Sequence, residues 1–419
     1  MSEDMMGIGS SLFGKRRTAA DAEREFGERA LALVRAQPGV VQAEFDADEF
    51  VITYRTATGP SWIGLTTVWR RAAGRPPAHA QRILEQFVLA GMHGIRARGQ
   101  WPGWAEVAPH LRPLLRQAGQ LDARIEGIRL GDQLLWRPVL PMLIEQVVID
   151  APETMASVTA QHLDDWGVDA ATVFETARAN MAGLAQRFLD LLDPTARDVM
   201  HVPDADGELY AGSLPLAPGW LHGAGLRYRT QPLVFVPGNV GVLLGFASSP
   251  GRVAELVHAA RELYEEAVRP VSPVPYTVGA DGGLVPYAVP EGHPAWAPIR
   301  SAESALAAAV YRDQYGELRA DSPADDSADL AAEILHIGGR DGVEFTMATW
   351  TDGVPTLLPR VHAVMLTDLR TGAAVPTRWE ALAREVPLEP VPGRYPPRYR
   401  VRHHPHPDAM RRLAAAAPH

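Results

Sequence analysis

His404-Pro405-His406-Pro407-Asp408 sets two imidazoles and a carboxylate at alternate positions. Neutral imidazoles and a carboxylate are the ligands of a hydrolytic zinc, which lowers the pKa of a bound water into the neutral range. The spacing is that of the H-x-H-x-D start of metallo-hydrolases, although Ala409 stands where such enzymes usually carry another His. His336 and His362 complete a ligand set only if the sheet brings them near. The competing reading is a proline-ordered loop in which Asp408 caps the last helix.

Just upstream, Arg398, Arg400 and Arg402 alternate along an expected strand and so share one face. Arg394, Arg411 and Arg412 add charge, and Tyr395 offers a ring on which a base could stack. Such a strip suits a phosphate or an acidic ligand. The competing reading is an edge strand guarded by charge against mispairing.

Other constellations lead to structure sooner than to chemistry. Asp204-Ala205-Asp206-Gly207-Glu208 resembles a fragment of a calcium loop, but its glycine comes too early and Pro215 stands where a bidentate Glu is needed. It reads as a hairpin turn. Glu145, Asp150 and Glu153, and the pair Asp164 and Asp165, offer carboxylates without any visible device that would split their pKa values. The chain has no cysteine, and Lys15 is its only lysine. Thiolate chemistry, disulfides and a lysine-terminated phosphate loop are therefore excluded. No G-x-S-x-G, H-E-x-x-H, Walker or dinucleotide pattern occurs. A formal charge of −10 argues against bulk attraction to nucleic acid or anionic lipid.

The elements that must position these groups follow from periodicity. The 419 residues, 46% hydrophobic and 21% charged, predict a folded protein with more than one core. Residues 1–17 are expected to be a flexible start without the features of a secretory signal. A helix capped by Thr18 carries Phe26, Ala30, Leu33 and Val34 on one face; strands follow through Val41–Phe45, Phe50–Tyr54 and Trp62–Leu65, then a helix with Leu84 and Val88. Proline at 102, 109 and 113 predicts short or kinked helix there. Leu143–Ile149 reads as a buried strand. Asp169 caps a helix that buries Val173, Ala177, Met181, Leu184 and Phe188. A hairpin is expected over Val199–Gly212, strands over Leu233–Val236 and Val240–Phe246, a helix through Val253–Leu263, and a hairpin closing at Val289. Further on, a helix over Ser301–Arg312 precedes strands near 332–337, 343–350 and 361–366, a helix at Arg378–Arg384, a strand at Arg398–His403 and a last helix from Asp408.

Several stretches of the first unit resemble the YtpQ-like family of uncharacterised bacterial proteins. They include Asp48-Glu49-Phe50-Val51-Ile52, Trp136-Arg137-Pro138-Val139-Leu140-Pro141, His162-Leu163-Asp164-Asp165-Trp166-Gly167-Val168, Val234-Phe235-Val236-Pro237 and Leu284-Val285-Pro286. The resemblance covers about residues 18–289. One departure is the loop after Pro237, Gly238-Asn239-Val240, where relatives place a His and an Asp. The resemblance implies no activity, substrate or cofactor.

Together these readings give an α+β chain of two units, each a small, mainly antiparallel sheet with helices packed on it. The YtpQ-like unit spans 18–290, a linker 291–300, and the second unit 301–419. The expected role is a cytoplasmic, non-enzymatic binding or adaptor protein whose two units form a groove for a protein or peptide partner, with neither membrane nor nucleic acid as partner. No cofactor is expected. A divalent metal enters only under the alternative of a hydrolase built on His404, His406 and Asp408. A third reading is weak binding of nucleic acid or acidic ligands through Arg398, Arg400 and Arg402.

Overall fold

The computed structural model describes residues 9–56, 59–65, 68–69, 72, 75–96, 103–125, 127–151, 154–193, 200–203, 210–239, 241–267, 269–321, 329–339 and 342–415. Strands Val40–Asp46, Val51–Thr56 and Gly59–Gly64 form an antiparallel meander. Ala43, Ile52, Tyr54 and Ile63 fall on one face at the strand period of two, and pack on Phe26, Ala30, Val34, Leu84 and Val88 of two helices. The first helix runs Gly9–Arg35, so it starts ahead of the Thr18 cap and takes in part of the segment expected to be flexible. At the first turn the Asp46 carboxylate accepts the N–H groups of Asp48 and Glu49 at 2.9 and 3.0 Å, the Asx-turn chemistry expected of Asp46-Ala47-Asp48.

A second sheet orders Leu111–Gln117, Leu143–Ala151 and Trp136–Leu140 side by side, with Thr154–Ser157 also paired to Leu143–Ala151. The proline-rich stretch thus holds only a single helical turn, Trp104–Val107, a 3-10 turn, and then a strand the prolines had hidden. Pro113 is tolerated because Leu111–Gln117 lies at the edge, where a missing N–H breaks no ladder. The helix capped by Asp169 is really two, Ala170–Ala179 and Ala182–Leu191. At the break, the Asn180 amide donates to the carbonyls of Ala108 and Leu111 at 2.7 and 3.0 Å.

The third sheet has the order Met200–Pro203, Gly241–Phe246, Pro232–Gly238, Pro270–Val278, Leu284–Pro286 and is antiparallel throughout. Every residue of Pro232–Gly238 and Gly241–Phe246 is buried, as a continuous apolar run demands. Helices Trp220–Tyr228 and Pro250–Glu266 and the 3-10 turn Ala211–Leu216 cover it. Of the expected Val199–Gly212 hairpin, Met200–Pro203 is a strand paired with Gly241–Phe246, and Ala211–Gly212 open a 3-10 turn. The Asp204–Gly207 turn lies outside the described residues.

Helix Trp296–Asp321 extends beyond the expected Ser301–Arg312 in both directions. Pro298 falls in its first turn, where the lost N–H has no intrahelical partner anyway. Ile299, Ala302, Leu306 and Val310 join the core under the third sheet, and Tyr311 joins the C-terminal core. That second core lies between two four-stranded sheets. One orders Leu330–Ala331, Thr356–Pro359, Arg398–Val401, Glu389–Pro390; the other orders Leu335–Gly338, Glu344–Thr351, Ala363–Asp368, Ala373–Arg378. Glu344–Thr351 runs parallel to Ala363–Asp368, and Leu330–Ala331 parallel to Thr356–Pro359, while the other pairs in these sheets are antiparallel. Mainly antiparallel sheets with helices laid against them make an α+β fold. No helix among the described residues is long and apolar enough to cross a membrane.

Candidate functional site

The His-x-His-x-Asp segment does not assemble into a metal centre. His404 Nε2 lies 2.9 Å from the Trp350 carbonyl, which only accepts, so that nitrogen carries its proton and is not free to ligate. The His404 backbone N–H bonds Asp352, and its ring meets Trp350 edge-on. His406 and Asp408 face each other at 3.6 Å on the exposed start of helix Pro407–Ala415, and Asp408 is bound to Arg411. His336 and His362 are engaged elsewhere. Among the described residues no group of three His, Asp or Glu is placed to hold a metal ion.

The arginine strip is likewise not a surface. Arg398 is fully buried. It donates to Gln314 Oε1 at 2.6 Å and to the carbonyls of Ala332, Leu357 and Tyr311 at 2.8, 3.0 and 3.3 Å. Burial lowers its pKa to about 10, with Tyr311 pulling the other way. Arg400 is exposed and paired with Asp329 at 2.6 Å, and Arg402 is exposed beyond the strand end. Alternation was a correct guide to register but not to exposure, because helix Trp296–Asp321 supplies Tyr311 and Gln314 as partners for Arg398.

The candidate carboxylate Glu145 is also structural. It is wholly buried and accepts from Arg137 at 2.7 Å and from both nitrogens of the Arg178 fork at 2.8 Å. Arg137 in turn stacks its guanidinium over Phe174 at 4.2 Å.

A cleft of about 1350 Å³ opens instead between helix Trp296–Asp321 and the sheet containing Glu344–Thr351. One wall is a helix stripe, Trp296, Arg300, Glu303, Ala307 and Tyr311, at the spacing of one helical face. The opposite wall is Ile337, Val343, Phe345, Met347, Val361 and Ala363. Met142, Val274 and Pro286 close one side, and Tyr395-Pro396-Pro397 crosses another. That crossing segment is fixed by hydrogen bonds: Tyr395 donates to the Leu140 carbonyl at 2.8 Å, Tyr311 to the Pro397 carbonyl at 2.9 Å, and Gln314 to the Pro396 carbonyl at 3.1 Å. Burial raises the pKa of Tyr311 and of Tyr395, so both remain neutral donors.

The charged groups of the cleft are only partly paired, and Glu291 and Glu380 line it too. Arg300 pairs with Glu303 at 2.8 Å, and burial still raises the Glu303 carboxyl above its ordinary pKa despite that arginine. Glu344 faces His336 at 2.8 Å and Arg261 at 3.1 Å. His362 accepts the Thr346 backbone N–H on Nδ1 at 3.1 Å, which places the proton of the neutral ring on Nε2. Burial, and then Arg300, lower its pKa to about 4. A ring held in this tautomer donates through Nε2 and has no basic nitrogen to offer a substrate at neutral pH. Arg360 and Arg378 line the rim, exposed and free of ion pairs among the described residues.

The sequence reading missed this site. Its legible trace is the helix stripe, invisible while the helix was started at Ser301 and Trp296 and Arg300 were placed in a linker. A scan against family models, a search of curated proteins and a search of solved structures all find no match. The resemblance to the YtpQ-like family therefore rests on the sequence motifs alone.

Proposed function

We propose that this chain is a non-enzymatic binding or adaptor protein of the cytoplasm, and that its cleft receives an extended, mainly apolar segment of a partner protein. The observation that carries this reading is the cleft's lining. Apolar side chains, prolines and tyrosines make up most of its walls, the Arg300–Glu303 pair is closed within the protein, and the one imidazole among its described lining residues is held as a donor. Small-molecule pockets measure roughly 300–1,000 Å³; a cleft of about 1350 Å³ suits a longer occupant. Recognition of an extended peptide uses this combination of apolar pockets with a few fixed donors, and Arg360, Arg378 and His362 Nε2 supply the donors.

Selection from a displayed library of random peptides tests the reading, with the whole protein as bait. Peptides rich in apolar residues are expected to enrich, and to lose at least about tenfold in affinity to Ala307→Arg, which sets a charge in the middle of the helix wall. Failure to enrich any peptide, or enriched peptides indifferent to Ala307→Arg and to Phe345→Ala, rejects it. Turnover of a defined substrate that a single cleft substitution abolishes would replace the binding reading with an enzymatic one.

A further inference from the structure

A second locus, away from the cleft, gathers more donors than acceptors among the described residues. Arg112, Leu114 and Arg116 alternate on the edge strand Leu111–Gln117, and the register sets Gln146 opposite Leu114. Directly paired residues project to the same face, so Gln146 lies between the two arginines. The 3-10 turn that begins after Tyr210 packs on this strand, where Ser213 Oγ accepts the Leu115 N–H at 3.0 Å. Gly212 of that turn touches the Asn239 backbone, and the Asn239 N–H donates to the Arg269 carbonyl at 3.2 Å. Three independent segments thus converge on the strand.

What they bring is one-sided. Gln146 Nε2 and Asn239 Nδ2 are buried and make no hydrogen bond, while the Tyr210 hydroxyl faces the Asp150 carboxylate, whose charge and hydrogen bonding help raise its pKa. Gln146 and Asn239 are 8% and 4% exposed, so water does not freely satisfy them. Among the described residues, Arg116 donates to the Leu115 carbonyl and Arg269 to the Glu49 carbonyl. Neither has an ion pair among the described residues. Burial lowers the pKa of both, and Arg269 acts on Arg116 as a like charge. The opposing charges are Asp150, which acts on Tyr210, and Glu49, which acts on Arg269. Buried donors normally find acceptors, and partly buried guanidiniums normally find carboxylates. Asp150 is taken up by Tyr210, so the locus still leaves two buried amides without acceptors and two guanidiniums without ion pairs among the described residues.

We infer that Arg116, Arg269, Gln146 and Asn239 bind the oxyanion of a small molecule, a phosphate or a carboxylate group. The guanidiniums supply charge and forked donors, and the two amides fix orientation. The site is independent of the cleft and survives or fails without it.

Titration calorimetry of the full chain at low ionic strength, with inorganic phosphate in one series and citrate in another, tests the inference. Saturable binding of either is expected, weakened at least about tenfold in Arg116→Gln and in Arg269→Gln and unchanged in Arg252→Gln, whose guanidinium is paired with Glu255 on helix Pro250–Glu266. The tighter probe tells a phosphate group from a carboxylate. Arg116→Gln should melt close to the parent in anion-free buffer, since it removes a desolvated charge that has no ion pair among the described residues; Arg269→Gln, on a different segment, repeats the test should Arg116→Gln misfold. No binding of either probe at millimolar concentration overturns the inference, and so does binding that both glutamine variants retain, which would mark an adventitious ion only.

Discussion

His362 and Thr346 exchange hydrogen bonds where two parallel strands begin. The Thr346 backbone N–H donates to His362 Nδ1 at 3.1 Å, its hydroxyl lies 2.9 Å from the same nitrogen, and the His362 N–H reaches back to the Thr346 carbonyl at 3.0 Å. The pair fixes the tautomer of the one imidazole among the described residues that line the cleft, and with it much of the chemistry the cleft can offer.

This pairing makes stability depend on pH. The His362 ring titrates near 4 in the folded chain, against 6.5 for the free side chain, because burial and Arg300 disfavour its charged form while Glu380 opposes them weakly. A histidine with a lowered folded-state pKa contributes stability above the unfolded value, and that stability is lost as pH falls from about 6.5 toward 4, where the unfolded chain binds a proton the native state refuses. The partly exposed ring reduces the contribution to about 1–2 kcal/mol. Urea unfolding of the parent and of His362→Asn across this range checks it. The parent should lose stability more steeply on acidification, and equal slopes would dismiss the assignment.

Arg398 and Arg400 share a strand and differ in fate. Replacing Arg398 by Ala removes a buried guanidinium and strands Gln314 and three carbonyls without donors. A loss of about 3–5 kcal/mol is expected. Arg400→Ala breaks an exposed pair with Asp329 and should cost under about 1 kcal/mol. Thermal melts of both variants decide between a structural Arg398 and a shared binding strip, which would instead make both substitutions mild in stability and alike in lost binding.

The contrast shows how far the sequence could be read. Strand alternation located Val41–Phe45, Phe50–Tyr54 and the start of Arg398–His403, and the cap at Asp169 holds as a helix start, with Thr172 donating to it at 2.8 Å. These signals are local, since each depends on neighbours within a few residues. Pro113 within an edge strand, and Pro298 within a helical first turn, were read as breaks because their tolerance depends on which side of the backbone needs a donor. The cleft depends on helix Trp296–Asp321 lying against Glu344–Met347, and the burial of Arg398 on Gln314 lying beneath it. No spacing along the chain encodes such long-range partners.

Glu145 illustrates the same limit and yields a sharper prediction. As a sequence residue it was one carboxylate among several near a strand; in the fold it is the buried acceptor that ties strand Leu143–Ala151 to Arg137 and to helix Ala170–Ala179 through Arg178. Glu145→Gln keeps the shape and removes the charge, leaving two partly buried guanidiniums facing a neutral amide. The expected cost is about 3 kcal/mol, seen as a lower denaturation midpoint at unchanged slope. A double variant, Glu145→Gln with Arg178→Met, should recover part of this, since it no longer strands the second arginine. Additive losses would show that the charges do not act as a unit.

Gly212 tests the convergence of strand, turn and loop most directly. A Cβ built there would stand 2.8 Å from the Asn239 carbonyl oxygen and 3.0 Å from its carbon. These are backbone atoms of a loop tied to Arg269 by the Asn239 N–H, so they cannot swing aside as a side-chain tip would. By contrast, the methyl that Gly245→Ala adds meets only the ends of Leu256, at 2.7 and 3.0 Å, and a leucine can change rotamer. Gly212→Ala is therefore expected to cost about 1–3 kcal/mol and to exceed Gly245→Ala. Because the strain falls on Asn239, amide hydrogen exchange should quicken at Asn239 and at Leu115, whose N–H is held by Ser213 in the same turn. Exchange that quickens only around Leu256, or a Gly245→Ala variant that is the less stable of the two, would show that the loop yields and that the three segments are not held against one another.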